Sequence, residues 1–579
     1  MSATKKRQPW HFGNTTVRSP FRLKDGLLLI SQSSLQGNLH GEEAEKAFRD
    51  LLGSAGIVEL GDDDTYSVGR KWRAALTQLG FIYPLMPKSS GVNQNDLGAA
   101  DTITPNGWRL IAAESVPAIQ ECFLRSLSAY YEDVLTESGE RTGDLFSPLR
   151  HVFRLMLEIE KTSGEPYLSF LEMACVVQFS NPAQSIEETT KAILELRKQR
   201  NSADKKRVFD REARNAASEK FGYVSQTLND YADVNFRYLK ATGLVQSKGR
   251  GVVIIPEKHL FVQKLCEQDA PKVDLGELLK MLTDGAQLPT DDSVVAYQVV
   301  TDLVKRLDSR GVKTAPLHST DQNAADLNLI RHNLEDQLFM LNEEDYGRRQ
   351  ASEWIEISNW LQLLSLPPNS AISLDDGERM SIPSGEAPAY FEWAIWRAFL
   401  AIDSLVSPPH KCRRFKIDQD FLPVGTAPGG GPDLIFEFED FVIVGEVTLT
   451  TNSRQEAAEG EPVRRHVANI LESYKGSKTV FGLFLANKID SNTAETFRMG
   501  TWYSNDDQKV RLDIVPLPLL VFKQFFDEMF TTEKVDVRHF KELLNSCVAQ
   551  RTLDAPLWKQ KINEVAGHFF QNFNAPTSH

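Results

Sequence analysis

The residues best placed to do chemistry lie in the segment DLIFEFEDFVIVGEV, residues 433–447. Read as a β-hairpin with Glu439 and Asp440 as its two-residue loop, this segment sets Asp433 opposite Glu446. Facing residues of an antiparallel pair hold their Cβ atoms about 4.5–5.5 Å apart on one side of the sheet. Two carboxylates so close repel each other unless a cation lies between them. Oxygen ligands favour Mg2+, which takes one or two carboxylates and completes its shell with water and substrate phosphate. That is the chemistry of phosphodiester hydrolysis, in which the cation polarises the phosphate, helps deprotonate a bound water and stabilises the leaving oxygen. Glu-Asp is a poor choice for a two-residue turn, and a register slip by one residue would send the acids to opposite faces. The plain alternative is a pair of surface acids on a solvated sheet, against which stand the apolar neighbours Leu434, Ile443, Val444 and Val447.

The elements that must position these acids follow a change of character after Pro388. Helix AYFEWAIWRAFLAI precedes extended segments RRFKIDQDFLPV, PDLIFEFE and FVIVGEVTLT, then helix EPVRRHVANILESY and the apolar strand TVFGLFLA. Helix, meander, helix and strand in that order outline an α/β sandwich. The Gly-rich GTAPGGGPD lacks the GK[ST] ending of a phosphate-binding loop, so its expected task is to bring the chain close to Asp433, and no ATP site is assigned.

Upstream, residues 44–264 read mostly as helices of ordinary length. Two stretches place a basic amphipathic helix ahead of short strands. In one, GRKWRAALTQLGFIY leads to DTITPNGWRLI with a turn at Asn106-Gly107; in the other, SQTLNDYADVNFRYLKATG ends on Gly243, a helix C-cap, and LVQSKGRGVVIIP gives strand, basic turn and strand. Both are expected to be winged-helix units, a form that serves DNA and protein partners alike. Residues 269–335 are acidic, polar and partly helical and read as a connector between halves, and LPPNSAISLDDGERMSIPSGEAP reads as a long breaker-rich loop.

Composition sets the outer limits. A chain of 579 residues is too long for one core and is expected to form several domains. It shows neither an apolar run long enough to span a bilayer nor the apolar core of a signal peptide, so a cytoplasmic protein with no membrane partner is expected. Cys122, Cys175, Cys266, Cys412 and Cys547 are scattered, which suggests reduced thiols rather than a zinc site. The net charge of −14 argues against nucleic acid at first sight, yet Lys191, Arg197, Lys198, Arg200, Lys205, Lys206, Arg207, Arg211 and Arg214 crowd one segment. A basic patch of that kind suits DNA, although a solvated charged helix has the same look.

Pro432-Asp433, then twelve residues, then Glu446-Val447-Thr448 resembles the PD-(D/E)XK nuclease motif. The longer string PDLIFEFEDFVIVGEVTLTTNSRQEAAEGEPVRRH resembles the AlwI family of type IIS restriction endonucleases, which includes site-specific nicking enzymes and large subunits of heterodimeric restriction enzymes. TTVRSPFRL, FRYLKATGLV and YFEWAIWRAF extend the likeness over most of the chain. The resemblance implies metal-site acids at Glu392, Asp433, Glu446 and Glu459, with Glu392, Asp433 and Glu446 as ligands of Mg2+. It adds His466 and Gln455 as further catalytic candidates, with Gln455 and Glu459 closing the site from the loop after the strand. Thr448 stands where a lysine usually orients the attacking water, so Gln455, Glu459 or His466 is expected to take that part.

The chain is therefore expected to be a multidomain α+β protein: a mainly helical DNA-recognition region with winged-helix units over 1–268, a connector over 269–335, and a PD-(D/E)XK nuclease domain over 336–579. The expected activity is that of a type IIS-like restriction endonuclease, strand-nicking or acting as the large subunit of a heterodimer, which binds a short asymmetric sequence in double-stranded DNA and hydrolyses a phosphodiester at a fixed distance with Mg2+. Cutting both strands calls for a second nuclease subunit or transient self-association. Arg18, Arg70, Arg73, Arg237, Lys248 and Arg250 are the candidate DNA contacts. The alternatives are a repair or defence nuclease without sequence specificity, and a DNA-binding regulator with an inactive nuclease domain.

Overall fold

The computed structural model describes residues 8–572 apart from 16, 18, 59, 61–66, 269–270, 315–322, 375–378 and 505. Arg18 therefore lies outside the described residues. The chain divides into two units, Met1–Leu338 and Phe339–His579. Among the described residues no helix is long and apolar enough to cross a membrane, and all five cysteines are free thiols.

In the first unit, helix α1 (Ser67–Gln78) forms where the basic amphipathic pattern predicts it, but the expected hairpin after it does not. Only an isolated bridge joins Ile82 to Ile103, and the next element is helix α2 (Pro105–Ala112). Thr104 accepts the Gly107 N–H at 3.0 Å and Pro105 occupies the first turn, so Asn106-Gly107 opens a capped helix rather than a turn between strands. Gly107 has a second reason to lack a side chain, since a Cβ there would meet the Phe81 carbonyl at 2.2 Å.

The second expected unit has its helix and its hairpin. Strand β1 (Tyr167–Ser169), helix α3 (Phe170–Cys175), and helices α4 (Ile186–Ser202), α5 (Lys206–Phe221) and α6 (Ser225–Ala241) lead into strands β2 (Val245–Lys248) and β3 (Gly251–Ile254). The chain leaves α6 through Gly243 at φ +68°, a left-handed position that suits glycine. Lys248 pairs with Gly251 across an antiparallel register, and β1 joins the far side to give the order β1-β3-β2.

Residues 269–335 are not a loose connector. Helices α7 (Leu275–Asp284) and α8 (Ser293–Ser309) and the start of α9 (Ala324–Arg349) take up most of the described residues there, and they belong to the first unit. Ala296, Val299, Val300, Leu303 and Leu307 recur at helical spacing and are buried. Arg125 grips Asp291 at 2.8 and 2.9 Å and Arg331 reaches Glu121 at 3.1 Å, so ion pairs fasten the same helices. The acidic composition that suggested a connector is their outer face.

The second unit is built on helix α10 (Ala387–Ile402) and a four-stranded sheet: β4 (Leu434–Glu437), β5 (Phe441–Thr448), β6 (Thr479–Ala486) and β7 (Asp513–Pro518) in the order β7-β6-β5-β4. β4 runs antiparallel to β5, whereas β6 is parallel to both β5 and β7. Parallel strands covered on both faces read as continuous apolar runs, as FVIV and VFGLFLA do. Helix α11 (Arg454–Tyr474) connects β5 to β6, and α12 (Leu519–Thr531), α13 (Val537–Ala549) and α14 (Ala555–Gly567) close the core. Each large apolar side chain buried there contributes about 1.5–3 kcal/mol. The breaker-rich loop before α10 contains a two-stranded pairing, Ala371–Ser373 with Arg379–Ser381.

α10 is buried from Ala389 to Ile402 without interruption, and it carries two charged residues. Arg397 is answered: Gln350, Glu353 and Glu356 accept its hydrogen bonds at 2.6–2.8 Å, and Trp393 and Tyr346 flank the guanidinium. Among the described residues no cation pairs with Glu392, and its burial calls for another explanation.

Candidate active site

The β4–β5 hairpin has the register expected from the sequence. Leu434 faces Gly445 and Glu437 faces Val442, while Phe438 N–H donates to the Phe441 carbonyl at 2.9 Å to close the two-residue Glu439-Asp440 loop. Neither loop residue takes a positive φ, and Asp440 is paired with Lys541, which accounts for acids at a turn that usually takes Asn-Gly. Continuing that register brings Asp433, just before β4, against Glu446 on β5. The Val447 N–H donates to Asp433 Oδ2 at 3.0 Å, fixing the carboxylate over the end of the strand.

Glu392 enters from α10 and is held by the Gly-rich segment, whose Ala427 N–H donates to its Oε2 at 2.7 Å. This segment thus orients an acid instead of cradling a phosphate. Glu459 hydrogen-bonds Thr448, the residue standing where a lysine usually lies. Burial raises the proton affinity of all four acids, and a neighbouring carboxylate raises that of Glu392, Asp433 and Glu446 further. Glu392 is pushed up to about 8 by burial and then by Asp433, and Asp433 to about 7 by burial and Glu446. Glu446 is pushed up to about 8 by burial and Glu459, and Glu459 is raised by burial.

His466 Nδ1 and Glu446 Oε1 share a 2.6 Å hydrogen bond, both side chains being buried. Burial, with Arg465 nearby, holds His466 below the ordinary histidine value, so at neutral pH the imidazole is uncharged. Its proton sits on Nδ1 whenever Glu446 is ionised, leaving Nε2, buried and without a hydrogen-bond partner, as an acceptor.

Two expectations about the site change. Gln455 and Glu459 lie within α11 and not in a loop, because the helix starts at Arg454, ahead of the expected Glu461, and continues through Pro462. Gln455 is also fully committed: its amide donates to Thr450 O at 2.5 Å and Lys488 O at 3.0 Å, and its carbonyl accepts from Asp490 N–H at 2.8 Å. It ties the loop after β5 to the loop after β6, with both amide hydrogens and the carbonyl oxygen engaged. Among the described residues, moreover, no three His, Cys, Asp or Glu side chains stand ready to hold a metal ion, so Glu392, Asp433 and Glu446 are not a preformed three-ligand set. Asp433 and Glu446 alone form the facing pair.

The family model of the AlwI restriction endonucleases matches residues 77–525, most of the chain and every residue of this site. The chain belongs to the AlwI restriction endonuclease family. It is accordingly a DNA-cleaving restriction enzyme, a hydrolase acting on DNA. Among solved structures, the small subunit (R.BspD6I2) of the heterodimeric restriction endonuclease R.BspD6I is 27% identical over 31% of this chain and 90% of its own, with a TM-score of 0.26. The BpuJ1 endonuclease binding domain, solved with pyrene- and phenanthrene-modified DNA, is 14% identical over 45% of this chain and 89% of its own, with a TM-score of 0.30. No curated protein matches the chain.

One residue of this AlwI-family site went unread in the sequence. Arg414 donates to Pro432 O at 3.2 Å and lies against Gly431, where a Cβ would meet its Nη1 at 2.5 Å. Its charge lowers the proton affinity of Glu392 and Glu446. The signal was the pair Arg413-Arg414: Arg413 is spent on Glu343 at 2.7 and 2.8 Å, and its neighbour faces the acids.

The candidate DNA contacts fare unequally. Arg70 is exposed and makes no ion pair among the described residues. Arg73 turns inward to His40 and Glu45, and Arg237 pairs with Asp233 and donates to Val17 O at 3.3 Å. Lys248 pairs with Glu165 at the hairpin tip, where Arg250 is exposed. The first winged-helix candidate thus loses its hairpin and half its basic pair, while the second keeps its tip.

Proposed function

We infer that this AlwI-family enzyme is a type IIS-like restriction endonuclease: the first unit binds a short asymmetric duplex sequence and the second hydrolyses a phosphodiester at a fixed distance, with Mg2+. Support for the reading comes from Glu392, Asp433 and Glu446 standing together, Glu392 and Glu446 buried and Asp433 half-buried, each holding a proton more tightly than a carboxyl in water, with one guanidinium, Arg414, nearby. A fold gains nothing from such a cluster unless a cation and a phosphate complete it.

The donor set fits the ion, since hard carboxylate oxygens from two facing residues are the protein share that Mg2+ ordinarily takes. Asp433 and Glu446 would hold it; once bound it supplies Lewis acidity and lowers the pKa of water. The remaining work falls to the chain. The Val447 N–H fixes Asp433, His466 fixes Glu446, and the Ala427 N–H fixes Glu392. Glu392, with its proton affinity in the neutral range, accepts the proton of the attacking water. Arg414 offsets charge as the phosphate is attacked, in place of the lysine that Thr448 replaces.

In the first unit α6 and the β2–β3 tip form a winged helix that presents Arg250 and Lys248 to DNA. A single catalytic site of this kind cuts one strand, so double-strand cleavage draws a second nuclease domain from another copy or a smaller subunit. The test maps breaks on both strands of a plasmid by run-off sequencing. Breaks at one fixed offset from a recurring sequence are expected, whereas breaks scattered without a common sequence would assign the enzyme to nucleases that lack site specificity.

A further inference from the structure

The first unit contains a cleft of about 640 Å3 bounded by α4, α5, α6 and the β1-β3-β2 sheet. Six cations line it, Arg197, Arg200, Arg214, Arg237, Lys240 and Arg250, against three carboxylates, Glu172, Asp210 and Asp233. Within a chain of net charge −14 this is a concentrated field of the opposite sign.

The carboxylates arrange the cations more than they cancel them. Buried Glu172 takes Arg197 in a two-point grip at 2.9 and 3.0 Å, and buried Asp210 takes Arg200 at 2.6 and 3.0 Å. A two-point pair engages two of the five guanidinium donors, so each arginine is oriented and still able to give to a second anion. Arg214 is half-buried and makes no ion pair among the described residues, and Lys240 reaches Ser247 on the hairpin at 3.3 Å. Tyr167, Phe170 and Phe236 add aromatic surface, and Arg197 lies over the Tyr167 ring at 5.5 Å. The wall is close-fitting: a Cβ at Gly251 would meet Leu168 O at 2.3 Å.

We propose that this cleft is a phosphodiester-binding site that grips the DNA backbone, with Arg214, Lys240 and Arg250 on phosphate oxygens and the aromatic wall against the sugars. It rests on the reading of the first unit as the DNA-binding half. A free nucleotide shares the phosphate chemistry, but the cations come from three helices and a hairpin tip and do not converge as a phosphate-cradling loop does. A strand crossing the cleft meets them in succession.

The experiment measures binding of the full chain to a labelled duplex by fluorescence anisotropy, in EDTA to prevent hydrolysis, across a salt series. Arg214→Ala and Lys240→Ala are each expected to weaken binding about 3–10-fold and to reduce the slope of log affinity against log salt by about one. Lys280→Ala, exposed on α7 and outside the cleft, is expected to change neither. Arg214→Lys, which keeps the charge, is expected to restore the slope if Arg214→Ala lowers the melting temperature. Steep salt-dependent binding by the unaltered protein that neither cleft variant alters would overturn this site and leave the endonuclease reading standing. Absence of DNA binding by the unaltered protein would overturn both. Displacement of the duplex by submillimolar deoxynucleoside monophosphate would show a free-nucleotide site and overturn the backbone assignment.

Discussion

Replacing Glu392 by glutamine is expected to stabilise the metal-free protein at pH 8 and to leave it unchanged at pH 5. The glutamine oxygen can still accept the Ala427 N–H, so shape and hydrogen bond are retained while the charge is lost. Glu392 moves from 4.5 unfolded to about 8 folded. Its folded value is the higher one, so its favourable contribution is complete below about pH 4.5 and is lost as pH rises through about 8. At ~1.4 kcal/mol per unit, ionising it in the metal-free fold at pH 8 costs on the order of 4 kcal/mol. Asp433 and Glu446 share that repulsion and water relaxes part of it, so a single substitution recovers about half, ~2 kcal/mol. In a domain of this size that corresponds to a rise in Tm of about 4–8 °C. Differential scanning calorimetry in EDTA at pH 5 and pH 8 reads it directly. An equal or lower Tm for Glu392→Gln at pH 8 would falsify the argument that the acids are strained by their own charge.

Three further outcomes follow from the same geometry. Gln455→Ala removes all three of its backbone contacts and is expected to cost about 2–4 kcal/mol in urea unfolding; retained stability with lost cleavage would instead make Gln455 catalytic. Arg414→Ala takes away the charge that lowers the proton affinity of Glu392 and Glu446, so the acid limb of the pH–rate profile should move to higher pH and the maximal rate should fall about 10- to 100-fold; an unmoved limb would remove Arg414 from the site. Arg397→Ala empties a buried position ringed by Gln350, Glu353 and Glu356 and should lower stability by about 3 kcal/mol while DNA affinity is unchanged; a stable variant would mean the acids turn to solvent at no cost.

The β4–β5 hairpin was legible because period-2 alternation and loop length set which residues face each other, and Leu434 does face Gly445. What defeated the reading elsewhere was local chemistry with two outcomes. Asn106-Gly107 is a strong turn signal, yet Thr104 and Pro105 turned the same residues into the first turn of a helix. Pro462 marks a helix start in most sequences, yet α11 runs on through it and carries Gln455 and Glu459 with it. In 269–335 the partly helical character was legible, but the acidic surface concealed that these helices belong to the first unit, packed through a stripe from Val299 to Leu307. Gln455 and Arg414 show the limit most plainly. Their side chains meet atoms brought together only by the folded loops, Lys488 O for one and Pro432 O for the other, and no spacing in the sequence encodes those meetings.

Asp433 and Glu446 are proposed to form one Mg2+-dependent hydrolytic site. The most direct measurement follows conversion of supercoiled plasmid by the unaltered protein, Asp433→Asn and Glu446→Gln, with and without Mg2+, alongside duplex binding by each. Mg2+-dependent breaks by the unaltered protein are expected, with loss of about 100-fold or more in rate in either variant and DNA binding unchanged in both. Cleavage that persists in both variants, or that proceeds equally in EDTA, would contradict that proposal.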